Sequence, residues 1–447
     1  MKNVLILGAG ISGLGAARVL STHGANVVVS DLADQLGHKK EEFINAGVQF
    51  CFGPQGDVLL DGMDTVVVSP AIPAENPVVR GAVKRGIPVI SEVELGYRIT
   101  KAPILGVTGT NGKTTTTTLL GKMIKKAGIP CVVAGNIGAS LSLEVSKVPA
   151  NGLIAAELSS FQLEFVDTFK PKAAVILNIT PDHMERHHTM EAYVDAKARI
   201  FENMDQDGAL LLNENDPYTP DLAARARSHT HVYMLNTDRE VEEGACIIGD
   251  MLTIKAGGKI IPLVTTGELQ LKGKQNYEDC LAAAFLAYIG GVPVEAIRDV
   301  LKEFTGLEHR IEFVRKLHGV SYVNDSKATN VDAALKGINA FTAPIILIAG
   351  GHDKETPIEG FMKYVKEHTR HLVLLGEAAN RFYDTAVKVG ITSLEKADRM
   401  EDAVKRAQKA AHEGDVVLLS PACSSFDMFS SYEERGEVFK NIVNHLK

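Results

Sequence analysis

A glycine-rich turn contains the first residues whose types and spacing could do chemistry. The stretch "ILGVTGTNGKTTTTTLL", residues 104–120, predicts a buried strand, a turn through Gly109 and Gly112, and a helix. Backbone N–H groups at a helix start bind phosphates, Lys113 adds positive charge, and the Thr114 hydroxyl can coordinate Mg²⁺. The strict G-x-x-x-x-G-K-[ST] pattern fails because Val107 replaces its first glycine. A nucleotide triphosphate site still explains the threonine run better than the alternative, a helix start with a solvated lysine.

Three further side chains have types that suit metal-assisted chemistry. Glu157 ends the apolar run "LIAAE", from which a carboxylate can reach Mg²⁺ at the turn, unless it is an exposed strand end. His183 follows another predicted strand and could bind a second metal ion through a neutral ring nitrogen. The neighbouring His187 and His188 are predicted to be solvated. Lys197 lies in "MEAYVDAKARIFENM", where the pattern alone favours the polar face of an amphipathic helix.

A second phosphate-binding pattern stands at the start of the chain. Gly8, Gly10 and Gly13 form a G-x-G-x-x-G fingerprint between an apolar run and a predicted helix, and Asp31 ends the next predicted strand. This spacing predicts a diphosphate on a helix N-terminus, with a carboxylate for a more distant polar group. The pattern fits NAD, and it equally fits the diphosphate and uridine of a UDP-sugar.

The bulk composition excludes several classes of protein. The chain has 447 residues, of which 45% are hydrophobic and 23% charged, and 47 basic against 55 acidic residues give a net charge of -8. This balance argues against a general nucleic-acid or anionic-membrane binder, and no apolar run approaches the roughly 20 residues of a membrane span. The five cysteines form no C-x-x-C pair, which is typical of a reducing compartment without structural zinc. We expect a cytoplasmic protein.

The elements that must position these residues follow an alternating pattern of strands and helices. This pattern predicts βαβ units on parallel sheets, in three α/β domains with boundaries near residues 98 and 306. The first predicted strands are Val4–Leu7, Val27–Ser30, Thr65–Ser69 and Pro88–Ile90, with a helix from Ser12 to His23. The next are Ile104–Thr108, Pro130–Ala134, Leu153–Glu157 and Ala173–Asn178, then an antiparallel edge over residues 208–267 and a helix from Asn276 to Tyr288. The last are Ser321–Val323, Pro344–Ala349, His371–Leu375 and Asp415–Leu419, with a helix within Asp402–Ala411.

The four strands of the second region all end in polar or glycine-rich clusters. These clusters read "GTNGKTT", "GNIG", "ELSSFQ" and "NITPDH". Ligands of an open parallel sheet bind outside the carboxyl ends of its strands. The sequence therefore predicts one shared active-site edge.

The motifs together resemble the Mur ligase family of ATP-dependent amide-forming enzymes. The matching segments are "GTNGKTT", "AELSSFQLE" (156–164), "LNITPDHMERH" (177–187), "DAKARIFEN" (195–203), "NDSKATN" (324–330) and "SPACSSFDMF" (420–429). The resemblance implies a Rossmann-like UDP-binding domain (1–98), a central P-loop-type ATPase domain (99–306) and a Rossmann-like amino-acid-binding domain (307–447). It implies that D-glutamate is joined to UDP-N-acetylmuramoyl-L-alanine through an acyl phosphate, in peptidoglycan precursor synthesis. The Asp-Asn-Pro-Arg motif of the diamino-acid-adding relative is absent.

The resemblance also implies which residues bind ATP and metal. The implied ATP-binding residues are Gly109, Thr110, Asn111, Gly112, Lys113, Thr114, Thr115, Asn276, Arg310 and Asp325. The implied ligands of two Mg²⁺ ions are Thr114, Glu157, His183 and Lys197, with Lys197 carbamylated, and Lys113, Glu157, His183 and Lys197 are the implied catalytic residues. Gln275 stands where the family often has histidine, so only Asn276 is carried over from that segment.

The substrate contacts follow in the same way. The implied UDP-substrate contacts are Ile11, Ser12, Asp31, Ser69, Pro70, Ala71, Asn136, Ser159, Gln162 and His183. The implied D-glutamate contacts are Lys327, Thr329, Lys354, Ser425 and Tyr432, each of which could otherwise be a capping or surface residue. The family pattern further implies closure of the third domain over the second, and we expect a monomer.

Two other classes stay open at this point. One is an NAD(P)-linked oxidoreductase with an accessory phosphate-binding domain, and the other is a non-catalytic nucleotide-binding regulator. An oxidoreductase would have no need of the phosphate loop with Glu157, Lys197 and "NDSKATN". These features favour the ligase.

Overall fold

Three separate β-sheets organise the chain. The computed structural model describes residues 1–32, 36, 39–54, 56–353 and 357–447, and the backbone alone for residues 39, 42 and 332. The sheets have five, nine and six strands and confirm the predicted α/β class. The first two sheets lie in one compact unit, Met1–Phe304, and the third lies in a second unit, Thr305–Lys447. Within the described ranges, no helix combines the length and apolar character that a membrane crossing requires.

The first sheet is entirely parallel, with strand order β3-β2-β1-β4-β5. Its strands are β1 (Asn3–Leu7), β2 (Asn26–Asp31), β3 (Gln49–Phe52), β4 (Thr65–Val68) and β5 (Val89–Ser91). The accompanying helices are α1 (Ile11–Thr22), α2 (Lys39–Asn45), α3 (Pro77–Lys84) and α4 (Glu92–Ile99), with a 3-10 turn at Asp57–Leu60. The predicted strands and first helix are confirmed within one or two residues at their ends. Strand β3 was not predicted, because its exposed, alternating residues give no continuous apolar run.

The second sheet has the order β14-β13-β12-β11-β10-β9-β6-β8-β7. Its strands are β6 (Ile104–Thr108), β7 (Cys131–Gly135), β8 (Leu153–Glu157), β9 (Ala173–Ile176), β10 (Ala209–Asn213), β11 (His231–Asn236), β12 (Gly244–Ile248), β13 (Met251–Ala256) and β14 (Lys259–Thr265). Its helices are α5 (Lys113–Lys126), α6 (Leu141–Val145), α7 (Ser160–Leu163), α8 (Met184–His187), α9 (Met190–Ala198), α10 (Thr219–Ala226), α11 (Lys274–Gly290) and α12 (Val294–Glu303).

The second sheet places the predicted active-site clusters at one edge. Strands β9, β6, β8 and β7 are consecutive neighbours and all parallel, so their carboxyl ends meet as the sequence predicted. The expected antiparallel edge over residues 208–267 is only partly correct. Strands β10, β11 and β12 pair in parallel, and only β12, β13 and β14 are antiparallel. Helix α10, which the sequence did not predict, supplies the crossover that makes the parallel pairing of β10 with β11 possible.

Small residues and buried carboxylates join the first and second sheets within their common unit. A Cβ on Gly15 of α1 would lie 1.9 Å from the Ser140 hydroxyl, so this contact requires glycine. Glu94 of α4 accepts hydrogen bonds from the backbone N–H groups of Asp167, Thr168 and Phe169. These contacts fix the relative position of the two sheets.

The second unit contains a mixed six-stranded sheet with the order β15-β16-β20-β17-β18-β19. Its strands are β15 (Glu312–Leu317), β16 (Val320–Asn324), β17 (Ile345–Gly350), β18 (Thr369–Leu375), β19 (Leu394–Lys396) and β20 (Val416–Leu419). Its helices are α13 (Val331–Asn339), α14 (Glu359–His368), α15 (Ala379–Lys388), α16 (Met400–Ala410) and α17 (Tyr432–Asn444). Only β15 is antiparallel, and the predicted strands are confirmed.

Candidate active site

The phosphate loop joins β6 to α5 with two glycines in left-handed or related conformations. Gly109 has a φ of 149° and Gly112 a φ of 87°, and a Cβ on Gly112 would lie 2.2 Å from a carboxylate oxygen of Asp279. Lys113 begins α5, and its Nζ donates to the carbonyl oxygens of Gly109 at 2.9 Å and Thr110 at 2.7 Å. The lysine therefore lies over the loop rather than in bulk solvent, as a phosphate-binding lysine must.

Asn178, which follows β9, fixes the shape of this loop. Its carbonyl oxygen accepts from the Thr110 N–H at 2.8 Å, and its side-chain oxygen accepts from the Asn111 N–H at 2.8 Å. Its side-chain nitrogen donates to the Asn111 carbonyl oxygen at 3.1 Å. The backbone N–H groups of Thr110 and Asn111 are thus already bonded. The N–H groups of residues 113–115, in the first turn of α5, are the ones that can bind a phosphate.

Two of the threonines after Lys113 bond to other groups of the protein, and two others are partly exposed at the start of α5. The Thr116 hydroxyl donates to Asp279 at 3.2 Å, and the Thr117 hydroxyl donates to the Lys113 carbonyl oxygen at 2.8 Å. Thr114 and Thr115 lie in the first turn of α5 and are partly exposed. This partly exposed pair includes Thr114, the predicted metal ligand.

Helix α11, which carries Asn276, packs against α5. Asn276 lies three residues before Asp279, so both are on one face of α11, and Asp279 contacts Gly112 and Thr116. The side-chain nitrogen of Asn276 donates to the Lys272 carbonyl oxygen at 2.8 Å. Sequence reasoning missed Asp279, although its position one turn after Asn276 was an available signal.

Glu157 lies at the end of β8 and has an unused buried oxygen. Its Oε1 accepts from the Asn136 side chain at 2.9 Å, and its backbone carbonyl oxygen accepts from the Asn136 N–H at 2.8 Å. Its Oε2 is buried without a hydrogen-bond partner among the described residues. Burying an unpartnered carboxylate oxygen is costly, and a cation removes that cost. The residue therefore fits the predicted Mg²⁺ ligand, and Asn136 orients it.

Lys197 is buried beside the phosphate loop, not on the polar face of a helix. Its side chain is about 1% exposed, and its Nζ donates to the Gly109 carbonyl oxygen at 2.7 Å. Burial and the neighbouring Lys113 hold the pKa of Lys197 well below its usual range, and Asp182 opposes this only in part. A lysine in this environment is readily deprotonated, as carbamylation requires.

His183 and His187 have opposite environments. His183 immediately precedes α8 and has a left-handed φ of 54°. Its ring is half exposed, and the ring centre lies 4.8 Å from the centre of the Phe161 ring. The prediction that His187 is solvated is wrong. Its ring is buried and bonded to the Ser160 hydroxyl at 2.9 Å, and burial, with Arg186 and Lys197, lowers its pKa to about 4. The rings of Phe161 and Tyr193 lie 5.5 Å and 5.1 Å from its ring, centre to centre, so residues of α7 and α9 cover a side chain that the sequence alone placed in solvent. The predicted exposure of His188 is confirmed.

Ser159 and Gln162 bond to each other at the start of α7. The Gln162 N–H donates to the Ser159 hydroxyl at 3.3 Å, and the Gln162 side-chain oxygen accepts from the Ser159 N–H at 3.0 Å. This capping box satisfies the helix start and also places both residues directly after Glu157 on the same strand end.

The fingerprint of the first sheet forms a turn with one open position. A Cβ on Gly13 would lie 1.8 Å from the Gly8 carbonyl oxygen, whereas a Cβ on Gly10 would meet no atom of the described residues within 4 Å. Packing therefore requires glycine at position 13. It does not require glycine at position 10, where the close approach of a ligand would explain one. Asp31 accepts from the Ala9 N–H at 2.7 Å, and Ile11 is 72% exposed at the helix start. The other predicted contacts nearby are partly exposed Ser12 and the turn Ser69, Pro70 and Ala71.

In the second unit, Asp325, which follows β16, lies close to Arg310, which precedes β15. Asp325 is buried, and its two oxygens accept from the Ser420 hydroxyl at 2.7 Å and the Ile311 N–H at 3.2 Å. Burial raises the pKa of Asp325 to about 6, although Ser420, Ile311 and Arg310 oppose the rise. Arg310 itself is exposed.

Among the described residues, the predicted D-glutamate contacts lie after the adjacent strand ends of β16 and β20 and at the start of α17. Lys327 follows β16, and its Nζ lies 5.9 Å from the centre of the Tyr432 ring. Ser425 follows β20, which pairs with β16. Arg435 is buried and donates to Ser326 and to the carbonyl oxygens of Cys423 and Ser424, so it joins the two ends. Thr329 is partly exposed near Lys327, and Lys354 lies outside the described residues.

Family models match the chain in three consecutive segments. Residues 2–91 match the "Mur ligase MurD-like, N-terminal domain", residues 107–287 the "Mur ligase middle domain", and residues 309–423 the "Mur ligase, glutamate ligase domain". The chain belongs to the Mur ligase family. Its phosphate loop, Glu157, His183 and Lys197 all fall within the matched middle domain.

Full-length Mur ligase relatives are similar to this chain. A UDP-N-acetylmuramoylalanine--D-glutamate ligase of Thermoanaerobacter pseudethanolicus is 43% identical and covers 100% of this chain and 99% of the relative. The enzyme of the same name from Pelotomaculum thermopropionicum is 44% identical, covering 100% and 98%. Among solved Mur ligase structures, UDP-N-acetylmuramate-alanine ligase MurC of Thermotoga maritima has a TM-score of 0.56 at 19% identity, with both chains fully covered. MurF of Acinetobacter baumannii has a TM-score of 0.56 at 15% identity, covering 98% of this chain and 92% of that one. These structures share the fold.

Proposed function

We propose that this chain is the ATP-dependent ligase that joins D-glutamate to UDP-N-acetylmuramoyl-L-alanine, giving ADP and phosphate. The observation that carries the proposal is the similarity, from end to end, to relatives that bear this name. The grouping of half-buried Lys113 with buried Glu157 and Lys197 at one sheet edge supports it, because amide formation with ATP needs cations and metal ligands around transferred phosphate.

The proposed reaction has two balanced steps. A carboxylate oxygen of the UDP substrate attacks the γ-phosphorus of ATP, and the bond to ADP breaks, which leaves an acyl phosphate. The neutral amine of D-glutamate then attacks the acyl carbon, phosphate leaves, and the amine loses a proton. Lys113 and the N–H groups of residues 113–115 neutralise phosphate charge in this scheme.

Thr114, Glu157, His183 and carbamylated Lys197 would hold two Mg²⁺ ions. The unpartnered buried oxygen of Glu157 supports this assignment. The ions would neutralise charge that develops on the transferred phosphoryl group. A Glu157→Gln variant keeps the oxygen that faces Asn136 but loses the charge, so its half-saturating Mg²⁺ concentration should rise by about tenfold or more.

The carbamate on Lys197 would form without any other reagent than CO₂. The neutral Nζ attacks the carbon of CO₂, an N–C bond forms, and one proton leaves. A cation thereby becomes an oxyanion that can support Mg²⁺. The depressed pKa of Lys197, caused first by burial and then by Lys113, supports this step.

The assignment of roles to segments follows the three sheets. Residues 1–98 would hold the UDP part of the substrate, residues 99–306 ATP and metal, and residues 307–447 D-glutamate. The open space next to Gly10 and the exposed side chain of Ile11 support the assignment of residues 1–98 to the UDP part of the substrate. We also propose a cytoplasmic monomer.

Phosphate release from ATP tests the whole proposal. Release should require both UDP-N-acetylmuramoyl-L-alanine and D-glutamate and should be absent with L-glutamate. Release with another UDP-muramoyl peptide and a different amino acid would instead assign the chain to a sibling activity.

A further inference from the structure

Arg186 connects the first sheet to the second at a point next to the proposed metal site. Its Nη2 donates to the Ile72 carbonyl oxygen at 2.8 Å, in the turn that follows β4. The same guanidinium binds both oxygens of Glu164, at 2.6 Å from Nη2 and 3.2 Å from Nε. One side chain thus holds a backbone turn of one sheet and a carboxylate of the other.

The two ends of this bridge are both parts of the site. Ile72 lies in the turn Ser69–Pro73, which would contact the UDP substrate. Arg186 lies on α8 with His183 at its start, and its backbone N–H donates to the His183 carbonyl oxygen at 3.0 Å. Its guanidinium also lies over the Phe161 ring, at 5.0 Å from the centre, and that ring contacts His183. A shift of Arg186 would therefore move the turn relative to His183.

The ion pair between Arg186 and Glu164 is stronger than a surface ion pair because both side chains are largely buried. The Arg186 and Glu164 side chains are only 13% and 17% exposed, so solvent screens them little. His187 also lies 3.6 Å from Glu164, but its low pKa, caused mainly by burial, leaves it neutral. Arg186 is then the cation that balances Glu164. Two parallel hydrogen bonds fix its plane, which a single ammonium group could not do.

We propose that Arg186, aimed by Glu164, is a positioning residue that sets the distance between the UDP-substrate turn and His183. This inference rests on the proposed function. A ligase must hold the substrate carboxylate in line with the ATP phosphate, and small displacements of that carboxylate are costly to the rate. The bridge fixes the turn that would hold the other part of the same substrate.

The test uses an Arg186→Lys variant of the full chain. Lysine keeps the charge beside Glu164, but one ammonium group cannot hold Glu164 in a bidentate pair and reach Ile72 as well. We expect kcat/KM for UDP-N-acetylmuramoyl-L-alanine to fall by about tenfold, the effect of one charge-assisted hydrogen bond, while KM for ATP stays within about twofold. Arg85→Lys is the matched control, because Arg85 pairs with Asp61 on the surface of the first sheet. Its constants should equal those of the wild type.

A second variant, Glu164→Gln, removes the carboxylate that aims the guanidinium. It should produce the same selective loss for the UDP substrate, with a thermal midpoint within a few degrees of the wild type. Equal losses for all substrates in step with a lower thermal midpoint would show a structural role only and overturn the inference. Unchanged constants in Arg186→Lys would also overturn it. If the wild type does not turn over this substrate pair, the proposed function falls and the inference falls with it.

Discussion

The Nζ of Lys197 lies 2.7 Å from the carbonyl oxygen of Gly109, which also accepts a hydrogen bond from Lys113 at 2.9 Å. The two lysines thus share one backbone oxygen, with Lys197 buried and Lys113 half-buried. Their mutual repulsion and the loss of water favour a neutral amine, and Lys197 is the more buried of the two. The loop that would hold phosphate would therefore also prepare Lys197 for the proposed reaction with CO₂.

If Lys197 carries the proposed carbamate, a Lys197→Ala variant should lose activity by about a hundredfold or more, because the anion that would support the metal disappears from the site. Added bicarbonate should not restore the rate, since no amine remains to be carbamylated. Short-chain carboxylic acids should restore part of it by occupying the vacated space. Initial rates of phosphate release measure all three results.

Lys172→Ala is the matched control for this variant. Lys172 is exposed and immediately precedes β9 in the same sheet. Its removal should leave the rate and the response to acids unchanged. Full activity of Lys197→Ala without additives would contradict the carbamate proposal.

The two later glycines of the fingerprint should respond oppositely to substitution by alanine. In Gly13→Ala the new Cβ would overlap the Gly8 carbonyl oxygen, so the variant should lose about 1–3 kcal/mol of stability or more. In Gly10→Ala the Cβ meets no atom within 4 Å in the part of the chain that the structure describes, and the thermal midpoint should stay near that of the wild type. Binding of UDP should nevertheless weaken by about tenfold, because the diphosphate approaches that backbone closely. Calorimetric titration with UDP measures the affinity of each variant. Unchanged UDP affinity in Gly10→Ala would contradict the proposal that the turn at Gly10 binds the diphosphate.

Much of the fold could be predicted because buried parallel strands have a strong sequence signal. Strands β6 and β8 were predicted to the residue, since each is a continuous apolar run that ends in polar or glycine-rich residues. The half-exposed strand β3 has no such run. The parallel pairing of β10 with β11 was missed because helix α10, which connects them, was not recognised, and the parallel pairing of β11 with β12 has no local sequence pattern.

The site was predicted less completely, because it depends on contacts between distant parts of the chain. Asn178 and Asp279 shape the phosphate loop from 67 residues and about 160 residues away along the sequence. No local pattern marks a side chain whose task is to bond a remote backbone. The burial of Lys197 was also unpredictable from its helix, since the amphipathic pattern places lysine at the surface.

A buried glutamate at the joint of the first two sheets should make stability depend on pH. Burial raises the pKa of Glu92 to about 7, although hydrogen bonds from Ser142 oppose the rise. The folded state therefore binds this proton more tightly than the unfolded chain, whose value is about 4.5. The stabilisation is complete below about pH 4.5 and is lost as the pH rises to about 7. A Glu92→Gln variant should be more stable than the wild type by about 3 kcal/mol above pH 7 and equal to it at low pH. Thermal midpoints across this pH range measure the difference.

Glu94, two residues along the same helix, supplies the opposite control. Its burial is outweighed by hydrogen bonds from Thr168, Asp167 and Arg98, which lower its pKa. Its contribution is present at neutral pH and is lost as the pH falls, so Glu94→Gln should destabilise the protein most at neutral pH. If both variants shifted the thermal midpoint in the same direction at pH 8, the assigned environments would be wrong.

The hydrogen bonds between Asn178 and the phosphate loop should control ATP binding. In an Asn178→Asp variant the carboxylate can still accept from the Asn111 N–H, but it cannot donate to the Asn111 carbonyl oxygen and faces that oxygen with like charge. The variant also places a negative charge beside a loop built for phosphate. We expect KM for ATP to rise by about tenfold while KM for D-glutamate stays within about twofold. Asn203→Asp makes the same chemical change elsewhere, because Asn203 donates to the carbonyl oxygens of Asp167 and Phe169. Steady-state kinetics with each substrate varied in turn distinguishes the two variants, since only the loop variant should alter ATP. A wild-type KM for ATP in Asn178→Asp would mean that Lys113 and the first turn of α5 hold the loop in shape by themselves.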